Sequence, residues 1–139
     1  RGLGDVYKRQ PDGEELSTQP LRIAIGTSEV AADANIRGDN FRHIQTHDVE
    51  VALETMADMG LIDVLVEGGP RLASAFLEAD AVDAIESYIA PAFLGAGLPV
   101  TSATHETTIT DISRFRTVAV ETLGDDILIT ALRSGKDRG

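Results

Sequence analysis

The pattern of apolar and polar positions divides the chain into short segments whose period changes several times. Residues 21–25, Leu21-Arg-Ile-Ala-Ile25, make an apolar, β-branched run that predicts a buried strand, stopped by Gly26-Thr27-Ser28. Residues 11–20 are polar and rich in turn formers, and residues 29–40 have no period, so both predict loops, with a second short strand at 42–45. Asp48 is placed as the N-cap of a helix whose Val49, Ala52, Leu53 and Met56 share one face, and Gly60 ends it as a left-handed cap. Residues 62–66 are almost continuously apolar, which predicts a strand covered on both faces, as in a parallel sheet. A helix over 70–79 puts Leu72, Ala75, Phe76 and Ala79 on one side. A strand at 85–90, stopped by Pro91, leads into residues 92–111, which have neither helical nor strand period. Residues 115–122 and 127–132 predict an antiparallel hairpin across Leu123-Gly-Asp-Asp126. This order predicts an α/β fold, with a mostly parallel sheet, helices on both faces and a C-terminal antiparallel hairpin.

Composition narrows the function. With 139 residues and 42% apolar content the chain has room for one ordinary α/β unit. A net charge of −11 with no block of Lys or Arg lacks the electrostatic footprint of a nucleic-acid binder. The absence of cysteine removes disulfides, zinc ribbons and thiol catalysis, and agrees with a reducing compartment. No apolar run reaches the length of a membrane span and no signal-peptide core is present, so a cytoplasmic protein without membrane contact is expected. The first ten residues, ending Gly4-Asp-Val-Tyr-Lys-Arg-Gln10, resemble translated adapter sequence and are expected to be a non-native leader. Residues 11–134 then form the domain, and residues 135–139 a polar tail.

The strongest chemical signal is Glu67-Gly-Gly-Pro70, where an apolar run stops at a carboxylate and passes through two glycines into a helix. Pro70 suits a first helical position, the glycines remove side chains that would block close approach, and the amides that follow point at the positive end of the helix dipole. An anion can sit there without a lysine. The same turn also serves as a plain strand-to-helix connection, and it is not the Gly-x-Gly-x-x-Gly dinucleotide fingerprint. A carboxylate aimed at the same anion would repel it. Glu67 is therefore expected to face a second ligand that donates hydrogen bonds, or else to be a solvated strand-end residue. Arg71 reaches a phosphate or is an exposed helix residue; Ser74 donates to an anion or is a small residue packed on the sheet. Tyr88 reads as packing or as part of a subunit contact. His43 and His47 are four apart but precede the helix cap and have no third His nearby, so no metal is assigned. His105-Glu106 reads as solvated.

Residues 61–98, with Leu61-Ile-Asp-Val-Leu-Val-Glu-Gly-Gly-Pro-Arg-Leu-Ala-Ser-Ala-Phe-Leu77, Val82-Asp83, Ile89-Ala-Pro91 and Leu94-Gly-Ala-Gly97, closely resemble the reductase domain of the bifunctional riboflavin-biosynthesis deaminase/reductase. The resemblance runs from about residue 11 to 133. It implies a dihydrofolate-reductase-like fold, here the C-terminal part without the N-terminal strands. It also implies use of NADPH to reduce 5-amino-6-(5-phosphoribosylamino)uracil to the ribitylamino form. By it, Gly68, Gly69, Pro70, Arg71, Leu72, Ala73, Ser74 and Ala75 receive the cofactor phosphates and Glu67 contacts the substrate. Thr27 stands where the family often has a Ser near the cofactor, while Gly26 replaces the Asp that commonly precedes it. Dihydrofolate-reductase relatives often join the paired glycines by a cis peptide, a costly non-proline case that makes Gly68-Gly69 a bond to check. Hydride delivery is the cofactor's chemistry, so no catalytic acid or base is assigned. The family's Ser-Leu-Asp-Gly-type first strand and Arg-bearing loop are not found in the sequence, so these residues alone are expected to be inactive. The His-x-Glu and Pro-Cys-x-x-Cys of a deaminase are also not found. A homodimer is implied for the parent, through residues 85–90 or the final hairpin. The alternatives are another dihydrofolate-reductase-like reductase of a pyrimidine or pterin, and a non-catalytic nucleotide-binding module.

Overall fold

The computed structural model describes residues 19–102 and 114–134. The expected leader, the tail at 135–139 and the His105-Glu106 pair lie outside the described residues. The chain forms two compact units, Arg1–Ile62 and Asp63–Gly139. The first contains β1 (Arg22–Ile25), β2 (Phe41–Ile44) and α1 (Val49–Asp58). The second contains α2 (Pro70–Glu78), β3 (Ala84–Ile89), β4 (Phe115–Leu123) and β5 (Asp126–Arg133).

In the first unit β1 and β2 run parallel, from Arg22 opposite Phe41 to Ile25 opposite Ile44. Bonds from Arg22 N to Asn40 O (2.8 Å) and Gly26 N to Ile44 O (3.1 Å) carry the ladder beyond both ends. Parallel pairing puts the two carboxyl ends at one edge, where Gly26 and Thr27 follow β1. Asp48 caps α1 as the sequence predicts: its Oδ1 accepts from Glu50 N (2.9 Å) and Val51 N (3.2 Å), worth about 1 kcal/mol. The helix buries Val49, Ala52 and Met56. Met56 is 1% exposed, and a side chain of that size contributes about 1.5–3 kcal/mol when fully buried. Gly60, at φ 79°, closes the helix, with Gly60 N bonded to Ala57 O and Leu61 N to Met56 O, the paired bonds of a Schellman cap.

In the second unit the sheet order is β3-β5-β4, antiparallel throughout. Antiparallel structure therefore includes β3 as well as the closing hairpin. The parallel structure among the described residues is the β1–β2 pair, because apolar patterning shows which residues are buried but not the direction of the neighbouring strand. Val118 forms an extra residue in β4, since Thr117 and Ala119 pair with the consecutive Ala131 and Thr130. Phe76, on α2, is 2% exposed. That helix also ends in a Schellman arrangement, with Asp80 N bonded to Leu77 O and Ala81 N to Phe76 O, but here the left-handed residue is Asp80, at φ 55°. Arg133 at the end of β5 forms an ion pair with Asp80 and donates from Nε to Val82 O (2.7 Å).

The strand expected at 62–66 does not form. Residues 61–69 carry no regular structure, and Ile62 and Leu65 are 93% and 63% exposed. An apolar run becomes a strand only when a neighbour completes its hydrogen-bond ladder, and among the described residues no strand pairs with it.

Candidate functional site

The turn at Glu67-Gly68-Gly69-Pro70 opens α2 as the sequence predicts. Gly69 is the N-cap (φ −71°, ψ 178°), Pro70 lies in the first helical turn, and no side chain caps the helix. The Gly68-Gly69 peptide is trans, not cis; between non-proline residues a cis bond costs about 2.5–4 kcal/mol. The two glycines have different surroundings. A Cβ on Gly68 would strike the side chain of Leu72, whereas a Cβ on Gly69 would meet nothing within 4 Å. Open space thus lies beside Gly69.

The amides of the first turn are only partly available. Leu72 N and Ala73 N both bond to Gly69 O at 3.1 Å, as the start of a helix requires. Gly69 N and Arg71 N have no partner among the described residues, so the donors that face outward are fewer than a reading of residues 68–75 as one cradle assumes. Arg71 is exposed, Leu72, Ala73 and Ala75 are half-buried, and Ser74 is buried. The Ser74 hydroxyl donates to Ser102 O (3.3 Å), and Ser102 reaches back with both N and Oγ to Pro70 O, each at 3.3 Å. Ser102, in the segment that follows β3, is thereby fastened to the first turn of α2. Glu67 is exposed immediately before that turn.

Thr27 belongs to the first unit, at the carboxyl edge of the parallel pair. Its Oγ1 lies 2.8 Å from His47 Nε2, and His43 Nε2 lies 2.7 Å from Gly26 O. A carbonyl only accepts, so His43 must donate its Nε2 proton there and offers no lone pair from that nitrogen to a metal. Among the described residues, no group of three His, Asp or Glu gathers at metal-binding spacing. No described helix is long and apolar enough to cross a membrane. Sequence reasoning missed the contacts of His47 and Ser102. Nothing local marked either one: His47 meets Thr27 across 20 residues, and Ser102 joins Ser74 across 28.

The family described as RibD C-terminal domain matches residues 6–129. The chain belongs to that family. It is 36% identical to the riboflavin biosynthesis protein RibD of Mycobacterium tuberculosis, in a match covering 93% of this chain and 40% of that protein. In fold it resembles RibD of Acinetobacter baumannii, with a TM-score of 0.72 at 23% identity over 83% of this chain and 38% of that one. It also resembles the Thermotoga maritima protein described as a diaminohydroxyphosphoribosylaminopyrimidine deaminase/5-amino-6-(5-phosphoribosylamino)uracil reductase. There the TM-score is 0.62 at 25% identity, covering 81% of this chain and 30% of that one. The chain thus spans about two fifths of the length of the Mycobacterium tuberculosis relative. The α/β architecture expected from the sequence is that of the RibD reductase domains.

Proposed function

We infer that this chain supplies part of the cofactor and substrate site of an NADPH-dependent reductase of riboflavin biosynthesis, acting on 5-amino-6-(5-phosphoribosylamino)uracil. The observation that carries the reading is the opening of α2 in a member of this family: open space beside Gly69, with the Gly69 and Arg71 amides unpartnered among the described residues. A phosphate fits that chemistry, because donors at a helix N-terminus attract an anion and glycine leaves room for it. When bound, NADPH supplies the hydride.

In this reading Gly68, Gly69, Pro70, Arg71, Leu72, Ala73, Ser74 and Ala75 make up the cofactor segment, with unequal roles. Gly69 and Arg71 meet the phosphates. Gly68 and Leu72 fix the shape of the turn, Ala73 and Ala75 allow close helix packing, and Ser74 anchors the neighbouring loop. Glu67 accepts hydrogen bonds from amino or hydroxyl groups of the substrate, whose donors suit a carboxylate better than a phosphate does. Thr27, at the carboxyl edge of the β1–β2 pair, is a further cofactor-contacting residue. Turnover requires the further family segments present in the longer relatives, so these residues alone bind without reducing. A cytoplasmic homodimer completes the reading, and sedimentation of the full chain tests the dimer.

The test is NADPH binding to the full chain, followed by fluorescence, with Gly69→Val as the variant. Weakened binding without loss of folding supports the site, and unchanged binding removes it. Reduction of the phosphoribosylamino-pyrimidine, assayed with the further family segments of the longer relatives supplied, then separates this enzyme from a reductase of another pyrimidine or pterin, and from a module that only binds nucleotide.

A further inference from the structure

We propose that His47 is a positioning residue that turns the Thr27 hydroxyl into a hydrogen-bond donor for an anionic oxygen of the cofactor. The proposal rests on the reading that Thr27 contacts NADPH.

The turn after β1 is held from several sides. Gly26 N continues the parallel ladder to Ile44 O, and His43, level with Ala24 in the register, reaches forward to bind Gly26 O at 2.7 Å. Gly26 has φ 136°, a conformation that side-chain-bearing residues rarely adopt, with open space where a Cβ would lie. Its glycine is therefore a torsional requirement of the turn. On the other strand, Thr46 N bonds to Ile44 O and Asp48 N to Thr46 Oγ1, both at 3.0 Å. This folds residues 44–48 back and brings His47 Nε2 to 2.8 Å from Thr27 Oγ1. With the backbone fixed, the remaining freedom is in the Thr27 hydroxyl proton.

That proton has two arrangements. If His47 Nε2 is unprotonated, it accepts from Thr27, and the hydroxyl can then only accept from a ligand. If Nε2 carries a hydrogen, it donates to Thr27 Oγ1 and frees the O–H to donate outward. A phosphate oxygen accepts, so it selects the second arrangement: His47 Nε2–H donates to Thr27, and Thr27 donates to the anion. Each bond polarises the next in the same direction. This gives the histidine a role that requires no metal.

NADPH titrations of the full chain test the relay in Thr27→Val, His47→Leu, His47→Gln and the Thr27→Val/His47→Leu double variant, each checked for folding by thermal melt. Both single variants are expected to weaken NADPH binding about three- to tenfold, the range of one net hydrogen bond. The double variant should be no weaker than the worse single one, and His47→Gln, whose amide donates, should recover much of the loss. Imidazole 15N shifts should show His47 moving to the Nε2–H form as NADPH is added. If Thr27→Val weakens binding but His47→Leu does not, or if the 15N shifts stay unchanged, the relay is overturned while the Thr27 contact stands. If Thr27→Val binds as the parent does, the Thr27 contact and the relay fall together.

Discussion

Gly68 lies so close to Leu72 that a Cβ on the glycine would stand 2.5 Å from Leu72 Cδ2 and 2.7 Å from Leu72 Cβ. The Leu72 Cβ is fixed to the helix and cannot swing away, so Gly68→Ala is an overpacking change, expected to cost about 1–3 kcal/mol. Gly69→Ala has ordinary torsions and open space. The entropy gained by removing a glycine is offset by alanine's weakness as an N-cap, so its stability should stay within about 0.5 kcal/mol of the parent. Urea midpoints of the two variants check the contrast. Equal losses would mean that the glycine doublet acts as one structural unit and that the space at Gly69 is not reserved for a ligand.

Asp80 holds the left-handed position that Gly60 occupies at the end of the other helix. A residue with a Cβ there costs about 1 kcal/mol, less for Asp than for most. The Arg133 pair returns little, because Asp80 is 56% exposed and exposed pairs contribute about 0–1 kcal/mol. Asp80→Gly is therefore expected to leave stability equal or slightly raised, and Asp80→Val to lower it by about 1–2 kcal/mol. Thermal melts of both variants decide this. A clear loss in Asp80→Gly would show that the ion pair outweighs the backbone.

Elements whose signals are local were legible in the chain. Asp48 and Gly60 bracket α1 through bonds to residues within five positions, and Pro70 opens α2 for the same reason. Residues 62–66 were misread because apolar patterning reports a demand for burial but does not supply the neighbouring strand. In the site, the Glu67-Gly68-Gly69-Pro70 turn was visible, while the difference between its glycines was not, since it depends on where Leu72 points after the helix has formed. The pairing of Thr27 with His47 required the parallel register of β1 and β2, which joins residues 20 positions apart.

The β4–β5 hairpin turns at Gly124-Asp125, with Leu123 paired to Asp126. Gly124 has φ 65°, and Asp125 is not among the positive-φ residues, so the turn follows the type II′ pattern with glycine first. This twist matches that of the flanking strands. Gly124→Val should cost about 1–2 kcal/mol and Gly124→Asn clearly less, because Asn tolerates the left-handed region. Denaturant midpoints check the order. If Val and Asn prove equal, side-chain bulk at the turn matters and its handedness does not.

Ser74 is 4% exposed, and its hydroxyl engages Ser102, whose N and Oγ both reach Pro70 O. These contacts fasten Ser102 in the segment after β3, on which Phe93, Leu94, Leu98 and Val100 are all highly exposed. Among the described residues of that segment, the serine pair ties it to α2. Ser74→Ala and Ser102→Ala are each expected to cost about 0.5–1.5 kcal/mol, and the double variant less than their sum, because the bond from Ser102 Oγ to Ser74 Oγ (3.2 Å) is lost in both, while the Ser74 bond to Ser102 O and the Ser102 Oγ bond to Pro70 O are lost in one each. Amide exchange at Ser102 should quicken in Ser74→Ala. NADPH titration separates this anchoring role from direct phosphate contact: an anchor makes the two single variants weaken binding alike. A direct Ser74 contact would instead weaken binding in Ser74→Ala and leave Ser102→Ala close to the parent.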